Sequence, residues 1–264
     1  MKIAVCVKSV PDPDYYDQIV IDPVNKTLQR AGIPAVINVA DKHAIESALR
    51  LKEQYGGEIT VISMGPPAVE QQLREALAMG ADEAYLLSDR KVGGADTLAT
   101  SYAISKVIEK TGPYDLVLAG NESADGATSH VPSQIGEWLG MGSLCSVLSI
   151  ELDGDNFIAT KKFENGTGKF CLSSPCVIAV NQRINEVRLT NMMAILKAKK
   201  KPLTVLSAAD LPGLDESYIG LSGSPTQNGE LHMVESGKEC TMFEGTEEET
   251  AEMIFDKIKQ FIRA

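Results

Sequence analysis

The chain of 264 residues is 44% hydrophobic and 23% charged, a composition typical of a globular protein with a substantial core. Its formal net charge of −11 at pH 7 argues against general binding to nucleic acid or to an anionic membrane surface. No apolar run reaches bilayer-spanning length, and the first residues lead directly into a predicted strand. We therefore expect a cytoplasmic protein without membrane insertion.

Cysteines and histidines give no sign of a metal site or a nucleophile. The five cysteines form no CxxC pair, and the three histidines are scattered along the chain. Cys6 and Cys176 lie in apolar runs, which favours buried thiols over disulfides or metal ligands. No Ser/His/Asp or Cys/His arrangement stands out, so the sequence predicts neither a metal site nor a catalytic residue.

Strands and helices alternate through the first half of the chain. Apolar runs predict strands at 2–7, 59–63, 84–87 and 116–119, and apolar residues at helical spacing follow in turn. After the first strand, a segment rich in Pro and Asp predicts an extended excursion, and Asp41 is then predicted to be the N-cap of the first helix. This alternation indicates a parallel sheet with right-handed crossovers.

A loop of small and polar residues follows the fourth strand and ends at a helix with Pro132 in its first turn. Small residues let the backbone approach a ligand, and hydroxyls and free amides near a helix start suit a phosphate group. Such loops lie at the carboxyl ends of strands, where α/β sheets bind ligands. A nucleotide site and an ordinary connection both remain open, because no Walker or GxGxxG spacing is present.

A second loop, Gly93-Gly94-Ala95-Asp96-Thr97, also precedes a predicted helix. Two glycines before a first turn that offers hydroxyls form a place where an anion could lie. The alternative is a flexible turn in which Asp96 is only the N-cap.

The second half of the chain has a different pattern. Strands are predicted at 146–152, 157–163 and 169–172, which indicates an antiparallel hairpin added to the sheet, and further strands at 177–181 and 203–206. A short helix with a basic end lies between the last two strands. Residues 208–249 predict an extended arm, and 247–262 a final helix with an apolar stripe. We therefore expect an α/β domain at 1–207 and a docking arm with its helix at 208–264.

Several long motifs resemble one family in their order along the chain: VCVKSVPD, AIESALRLKE, SMGPP, LREALAMGADEAYLL, DLVLAG with the SADGAT loop, QRINEVRLTNMMAILKAKKKPL and SGSPTQ. Together they are similar to the beta subunit of electron transfer flavoprotein. The resemblance covers nearly the whole chain. It implies a mostly parallel α/β sheet of the flavodoxin-like or adenine-nucleotide-hydrolase-like type, and a heterodimer with an alpha subunit that carries out flavin-mediated electron transfer.

The resemblance also implies a nucleotide pocket, which holds either structural AMP or the ADP half of a second FAD. The positions that match this pocket are Cys6, Asn38, Asp41, Met64, Gly120, Asn121, Glu122, Ser123, Ala124, Asp125, Gly126, Ala127, Thr128, Ser129, His130 and Val131. We predict that the 120–131 loop holds a diphosphate together with the second loop, from which Asp96, Thr97 and Thr100 would contribute.

The run DRKVGGADTLATS resembles the flavin-bifurcating branch of the family. In that branch the second FAD accepts a hydride from NADH, and its electrons pass separately to ferredoxin or flavodoxin and to a flavin-dependent dehydrogenase. The reverse reaction, confurcation, is the other direction that the resemblance allows. The dehydrogenase would act on an acyl-CoA or on a 2-hydroxy acid such as lactate. The alternative is a beta subunit that holds AMP, with the redox FAD only in the alpha subunit. A universal-stress-type nucleotide-binding module is a more distant possibility.

The segment NQRINEVRL resembles the loop with which the family docks onto dehydrogenases. The predicted partner-binding residues are Arg183, Ile184, Asn185 and Glu186. A branched apolar residue within a polar rim suits an interface anchor, although Ile184 packing back onto its own helix remains the alternative.

Overall fold

The computed structural model describes residues 1–18, 20–22, 27–29, 32–226, 229 and 240–262. The chain forms two compact units, Met1–Gly229 and Glu230–Ala264. Its helices are α1 (Val39–Tyr55), α2 (Glu70–Met79), α3 (Thr97–Thr111), α4 (Val131–Leu139), α5 (Met192–Ala198) and α6 (Glu247–Ile262). None of the helices in the described ranges is long and apolar enough to cross a membrane.

The strands of the first unit are β1 (Lys2–Cys6), β2 (Ser9–Pro11), β3 (Val20–Asp22), β4 (Thr27–Gln29), β5 (Ala35–Ile37), β6 (Glu58–Met64), β7 (Glu83–Leu87), β8 (Leu116–Gly120), β9 (Gly142–Asp153), β10 (Asn156–Phe163), β11 (Gly166–Ser173), β12 (Cys176–Val180) and β13 (Leu203–Leu206). Nine of them form one sheet in the order β11-β10-β9-β12-β8-β1-β6-β7-β13. The fold is of the flavodoxin-like α/β type, as the sequence predicted.

In the order of the sheet, every neighbouring pair from β9 through β12, β8, β1, β6 and β7 to β13 is parallel. The pairs β11-β10 and β10-β9 are antiparallel. The predicted hairpin is therefore a three-stranded extension, and β9 begins at Gly142, earlier than the sequence suggested. The predicted excursion between β1 and α1 contains short paired strands, and parts of it lie outside the described residues.

Helices cover both faces of the parallel sheet. On β1, Ile3 and Val5 belong to one apolar cluster, to which α1 and α2 contribute. The alternate residues Ala4 and Cys6 belong to the other cluster, together with side chains of α3. Burial on both faces explains why these strands are continuous apolar runs in the sequence.

Residues that follow β13 pack within the first unit. Leu211 and Ile219 are buried in the second apolar cluster, although the sequence assigned both to an extended arm. The middle of the predicted arm, 230–239, lies outside the described residues. The final helix is confirmed with the predicted bounds, whereas the domain boundary at 207/208 and its docking role stay predictions.

Candidate functional site

The chain reverses its direction of travel across the sheet at β1. From β1 the chain passes through α1 to β6 on one side and later returns as β8 on the other side. The carboxyl ends of β1 and β8 therefore form a switch-point crevice, the usual ligand position in open α/β sheets. The loops that border this crevice are the segment after Cys6 and the 120–131 loop.

Asn38 fixes the 120–131 loop from the start of α1. Its side-chain nitrogen donates to the carbonyl of Glu122 at 2.8 Å, and its side-chain oxygen accepts from the N–H of Ala124 at 3.1 Å. Asn38 is 1% exposed, so both ends of a buried amide are satisfied by backbone. The side chain thus holds the first half of the loop in one conformation.

Asp41 joins the two strand ends that flank the crevice. One carboxylate oxygen accepts from the N–H of Lys8 at 2.7 Å, and the other from the N–H of Gly120 at 3.0 Å. The prediction that Asp41 is the helix N-cap is wrong, because α1 begins at Val39 and its N-cap is Asn38. Asp41 instead lies in the first turn and points away from its own helix end to bind two other segments.

The electrostatics of Asp41 reflect its burial. Burial raises the pKa of Asp41 to about 7, although hydrogen bonds from the N–H groups of Lys8 and Gly120 oppose the shift. The pKa of the neighbouring Cys6 thiol is raised to about 12, first by burial and then by the charge of Asp41. Cys6 is therefore a neutral wall residue of the crevice and has no nucleophilic character at neutral pH.

Gly120 is required by this packing. A Cβ atom on Gly120 would lie 2.3 Å from Oδ1 of Asp41 and 2.6 Å from the Cβ of Ala40. The close approach lets the backbone of β8 end directly against the start of α1.

The 120–131 loop is closed by side-chain contacts, two of them made by Lys8 from the segment after β1. Lys8 Nζ lies 2.6 Å from a carboxylate oxygen of Asp125 and 3.2 Å from Oγ of Ser123, and Ser129 donates to Glu122 at 2.9 Å. Ala127 and Ser129 have φ angles of 46° and 56°, in the left-handed region that non-glycine residues seldom adopt. Such strain is concentrated at functional loops, where the surroundings hold it in place.

The loop leads into the N-terminus of α4. His130 is the N-cap and makes no side-chain capping hydrogen bond, and Pro132 brings no N–H group. The first-turn amides therefore remain available at the positive end of the helix dipole. Gly126, Ala127 and Thr128 are exposed beside them.

Asn121 has a structural role in this loop. Its side-chain oxygen accepts from the N–H of Ser146 at 2.9 Å and from its hydroxyl at 3.0 Å. Its own N–H donates to the carbonyl of Val180. The residue thus ties β8 to β12 and to the irregular part of β9, and its side chain is committed to those contacts.

The second predicted loop begins elsewhere on the same edge. It follows β7, which lies three strands from β8, or about 14 Å at the usual strand spacing. Asp96 is the N-cap of α3, as the alternative interpretation of this loop had it, and its Oδ1 accepts from the N–H of Ala99 at 3.0 Å. Burial works to raise the pKa of Asp96, but hydrogen bonds from Ala99 and Thr226 outweigh it and lower the pKa.

Thr97 and Thr100 occupy the first turn of α3 and are half-buried. Helix α3 packs beside α4, where Trp138 Nε1 donates to Ser101 at 3.2 Å and the rings of Tyr102 and Trp138 lie 5.0 Å apart. Both helices start at the carboxyl edge of the sheet, but a shared ligand for their N-termini stays a prediction. Met64 ends β6 at the same edge and packs against the second apolar cluster.

A second group of predicted residues forms a loop held on α1. Asn185 donates to the carbonyl of His43 and to the hydroxyl of Ser47, and its oxygen lies 2.9 Å from Nδ1 of His43. Arg50 donates to the carbonyl of Glu186. Ile184 is half-buried and packs against the first apolar cluster, whereas Arg183 is exposed.

Arg188 is the strongest tie between this loop and α1. It donates to Glu46, which is buried, and also binds Glu53. Burial would raise the pKa of Glu46, but the hydrogen bonds from Arg188 and Arg50 outweigh it and hold the pKa below its usual value. We call this set of contacts by Glu46, Glu53 and Arg188 the α1 clamp.

Sequence reasoning missed the α1 clamp and the role of Lys8. The partners lie far apart in the chain, 142 residues for Glu46 and Arg188 and 117 for Lys8 and Asp125, so no local pattern marks them. Among the described residues, no group of three or more His, Cys, Asp and Glu side chains is arranged to hold a metal ion.

The fold and the crevice define the class of this protein: a flavodoxin-like α/β protein with a loop-bordered cleft at its topological switch point. Comparison with known proteins then identifies the family. Residues 26–211 match the model of the electron transfer flavoprotein domain. The chain belongs to the electron transfer flavoprotein family and is similar throughout to its beta subunits.

Three relatives illustrate the similarity. The electron transfer flavoprotein subunit beta of Thermoanaerobacterium thermosaccharolyticum is 45% identical over 86% of both chains. That of Clostridium acetobutylicum is 40% identical over 98% of both chains. Subunit CarD of the caffeyl-CoA reductase-Etf complex of Acetobacterium woodii is 41% identical over 86% of both chains.

Proposed function

We propose that this chain forms a heterodimer with an electron transfer flavoprotein alpha subunit and binds FAD in the crevice between β1 and β8. The single observation that carries the proposal is the strained 120–131 loop, fixed by Asn38 and Asp41 and leading into the uncapped start of α4. A loop held in this way presents amides and hydroxyls without further ordering, which suits a diphosphate. The cytoplasmic location stays a prediction.

Different residues of the crevice would hold the loop and contact the nucleotide. Asn38 and Asp41 hold the loop, whereas the amides around His130 and Val131 would face the phosphates. Ser123, Thr128 and Ser129 would offer hydroxyls to the ribose or the phosphates. Bound flavin would supply the redox chemistry, which is to accept a hydride and pass its electrons on one at a time.

Within this proposal, FAD is favoured over AMP. The first turn of α3 offers Thr97 and Thr100 at the same edge of the sheet, and the run that contains them resembles the bifurcating branch. NADH would then reduce the bound FAD, and the electrons would separate between ferredoxin or flavodoxin and a flavin-dependent dehydrogenase. The alternative is a structural AMP here, with the redox FAD only in the alpha subunit.

The nucleotide content of the purified heterodimer tests whether this chain binds FAD or AMP. We expect two FAD molecules for each purified heterodimer, whereas one FAD with one AMP would support the alternative. Asp125→Ala and Gly126→Val should release the nucleotide while the chain stays folded, because both alter the loop and neither lies in the core. Asp153→Ala, which removes an exposed carboxylate from the last residue of β9, is the matched control. Full occupancy in both loop variants would contradict the site.

Reduction of the bound flavin by NADH tests whether the heterodimer belongs to the bifurcating branch. Under anaerobic conditions and with both sites filled, NADH should bleach the flavin absorbance of the heterodimer with no dehydrogenase present. A spectrum that stays unchanged over minutes would favour the AMP reading.

The partner dehydrogenase is proposed to dock on the loop held by the α1 clamp, where Arg183, Ile184, Asn185 and Glu186 lie. CarD is named as a subunit of a caffeyl-CoA reductase-Etf complex, which favours a partner that acts on an acyl-CoA. A 2-hydroxy acid dehydrogenase, such as one for lactate, remains the second candidate.

A further inference from the structure

Residues 219–226, which follow β13 by more than ten positions, lie against the loop that leads into α3. The N–H of Leu221 donates to the carbonyl of Gly93 at 3.1 Å. Gly220 has a φ angle of 62°, and a Cβ atom on it would lie 2.0 Å from the carbonyl oxygen of Lys91, so only glycine allows this approach. We call residues 219–226 the α3 clasp.

Asp96 joins the α3 clasp to the start of α3. Its Oδ2 accepts from the N–H of Thr226 at 3.0 Å, and its own N–H donates to Oγ of Ser224 at 2.8 Å. Ser224 is 6% exposed, and its hydroxyl donates in turn to the carbonyl of Gly220 at 2.7 Å. Since Oδ1 of Asp96 also caps α3 through Ala99, one residue fixes both the helix and the clasp.

The carboxylate of Asp96 is unsuited to contact a phosphate. It accepts from the N–H groups of Leu98, Ala99 and Thr226, and its negative charge repels an anion. Because two first-turn amides of α3 are engaged in this way, the helix start can bind an anion mainly through the hydroxyls of Thr97 and Thr100. Their placement depends on the first turn that Asp96 and the α3 clasp hold.

Helices α3 and α4 run side by side from the carboxyl edge of the sheet, in contact through Ser101 and Trp138. The axes of packed helices lie about 8–10 Å apart. A diphosphate between the two helix starts can place one phosphate near each, whereas a single phosphate held by the 120–131 loop does not extend to α3. The start of α3 should therefore matter for ADP and FAD and not for AMP.

We propose that Asp96 and Ser224 are positioning residues that hold the first turn of α3, and with it Thr97 and Thr100, for the second phosphate of a bound dinucleotide. This inference rests on the proposed function. It gives the α3 clasp a part in selecting FAD over AMP, and it assigns Asp96 an indirect role instead of a contact between its carboxylate and the ligand.

The test measures binding of ADP and of AMP by isothermal titration calorimetry to the complete heterodimer from which the nucleotide of this chain has been removed. Asp96→Asn keeps an oxygen to cap α3, since Asn is as good an N-cap as Asp, but it cannot accept from Thr226 as well. Ser224→Ala removes the acceptor of the Asp96 N–H. Each should weaken ADP binding at least about fivefold and change AMP binding less than about twofold.

The direction of the Asp96→Asn effect separates positioning from charge. Loss of a carboxylate beside a diphosphate would by itself tighten ADP binding, whereas loss of positioning weakens it. A variant with both Thr97→Val and Thr100→Val should also weaken ADP binding. In that variant, adding Asp96→Asn should have no further effect on ADP binding, because Asp96 acts through the two threonines.

Two control variants and a second readout accompany these measurements. Ser105→Ala removes a buried hydroxyl from the middle of α3, and Asp215→Asn removes an exposed carboxylate that caps a turn before the α3 clasp. Both should leave the affinities for ADP and AMP within about twofold of wild type. Saturating ADP should slow amide hydrogen exchange in residues 219–226 of the wild-type protein more than saturating AMP does.

Each outcome decides the matter. Unchanged ADP affinity in Asp96→Asn and Ser224→Ala, together with a loss in the threonine variant, would overturn the inference and leave the proposed function intact. Tighter ADP binding by Asp96→Asn, or equal losses of ADP and AMP affinity, would also overturn the inference. A wild-type heterodimer that is purified with AMP and binds ADP no more tightly than AMP would overturn both.

Discussion

At Asp41, burial and hydrogen bonding act on one carboxyl group in opposite directions. Burial prevails and raises the pKa from 3.8 to about 7, so the folded state holds the proton more tightly than the unfolded state does. The resulting stability is present below pH 3.8 and is lost as the pH rises through about 7. At about 1.4 kcal/mol per pKa unit, the full change is on the order of 4 kcal/mol.

We predict that the free energy of unfolding falls more steeply between pH 4 and about pH 7 in the wild-type protein than in Asp41→Asn. The asparagine side chain cannot ionise. The hydrogen bond lost in the variant changes the free energy of unfolding of that variant by the same amount at every pH. Urea unfolding at several pH values measures the difference. A difference between the two proteins that does not vary with pH would show that Asp41 does not titrate in this range.

At the scale of single elements, α1 is the part of the fold on which both candidate sites depend. Its first residues hold the 120–131 loop, and its middle carries the α1 clamp. We predict that Glu46→Gln lowers the free energy of unfolding by about 1–3 kcal/mol, because a partly buried Arg188 loses the buried one of its two carboxylate partners. Amide hydrogen exchange in residues 182–189 should also become faster.

The matched control for that prediction is Glu109→Gln. Glu109 pairs with Lys106 on the surface of α3, and such exposed pairs contribute about 0–1 kcal/mol. Equal effects of the two substitutions on stability, with no change in exchange at 182–189, would show that the α1 clamp does not order the loop.

The helices and strands were largely predictable, because the apolar residues within each element show a pattern typical of a helix or of a buried strand. Helix α6 has the bounds that the sequence indicated, and Asp96 caps α3, as the alternative interpretation of its loop had it. The role of Asp41 was not predictable, because its partners lie 33 and 79 residues away. In the local sequence, a carboxylate near the start of a helix has the pattern of an N-cap. Lys8 and Gly120 come close to Asp41 only because β1 and β8 are neighbours in the sheet.

At the scale of the whole molecule, the terminal unit carries apolar surface without a described core of its own. Ile254, Phe255, Ile258, Phe261 and Ile262 of α6 are all exposed. We predict that a chain truncated before Thr246 no longer co-purifies with the alpha subunit, because this stripe is then absent from the heterodimer. Co-expression followed by size-exclusion chromatography measures the loss.

Two controls accompany the truncation. The truncated chain should keep its thermal transition, since Met1–Gly229 is a compact unit, and its circular dichroism spectrum should lose only the helical signal of the 16 residues of α6. Phe255→Ser with Phe261→Ser in the full-length chain should reproduce the loss without removing backbone. Undiminished co-purification of either protein would contradict a docking role for α6.

In the segment after β12, some side chains bind α1 and others are exposed to solvent. This difference affects which positions can be substituted without loss of stability. Glu46, Arg188 and Asn185 cannot change without leaving buried groups unpaired, so selection for stability acts on them directly. Leu189, Met192 and Met193 are exposed and contribute little to folding. Substitutions can therefore accumulate at the exposed positions of this segment and change its surface chemistry, without the chain passing through unstable intermediates.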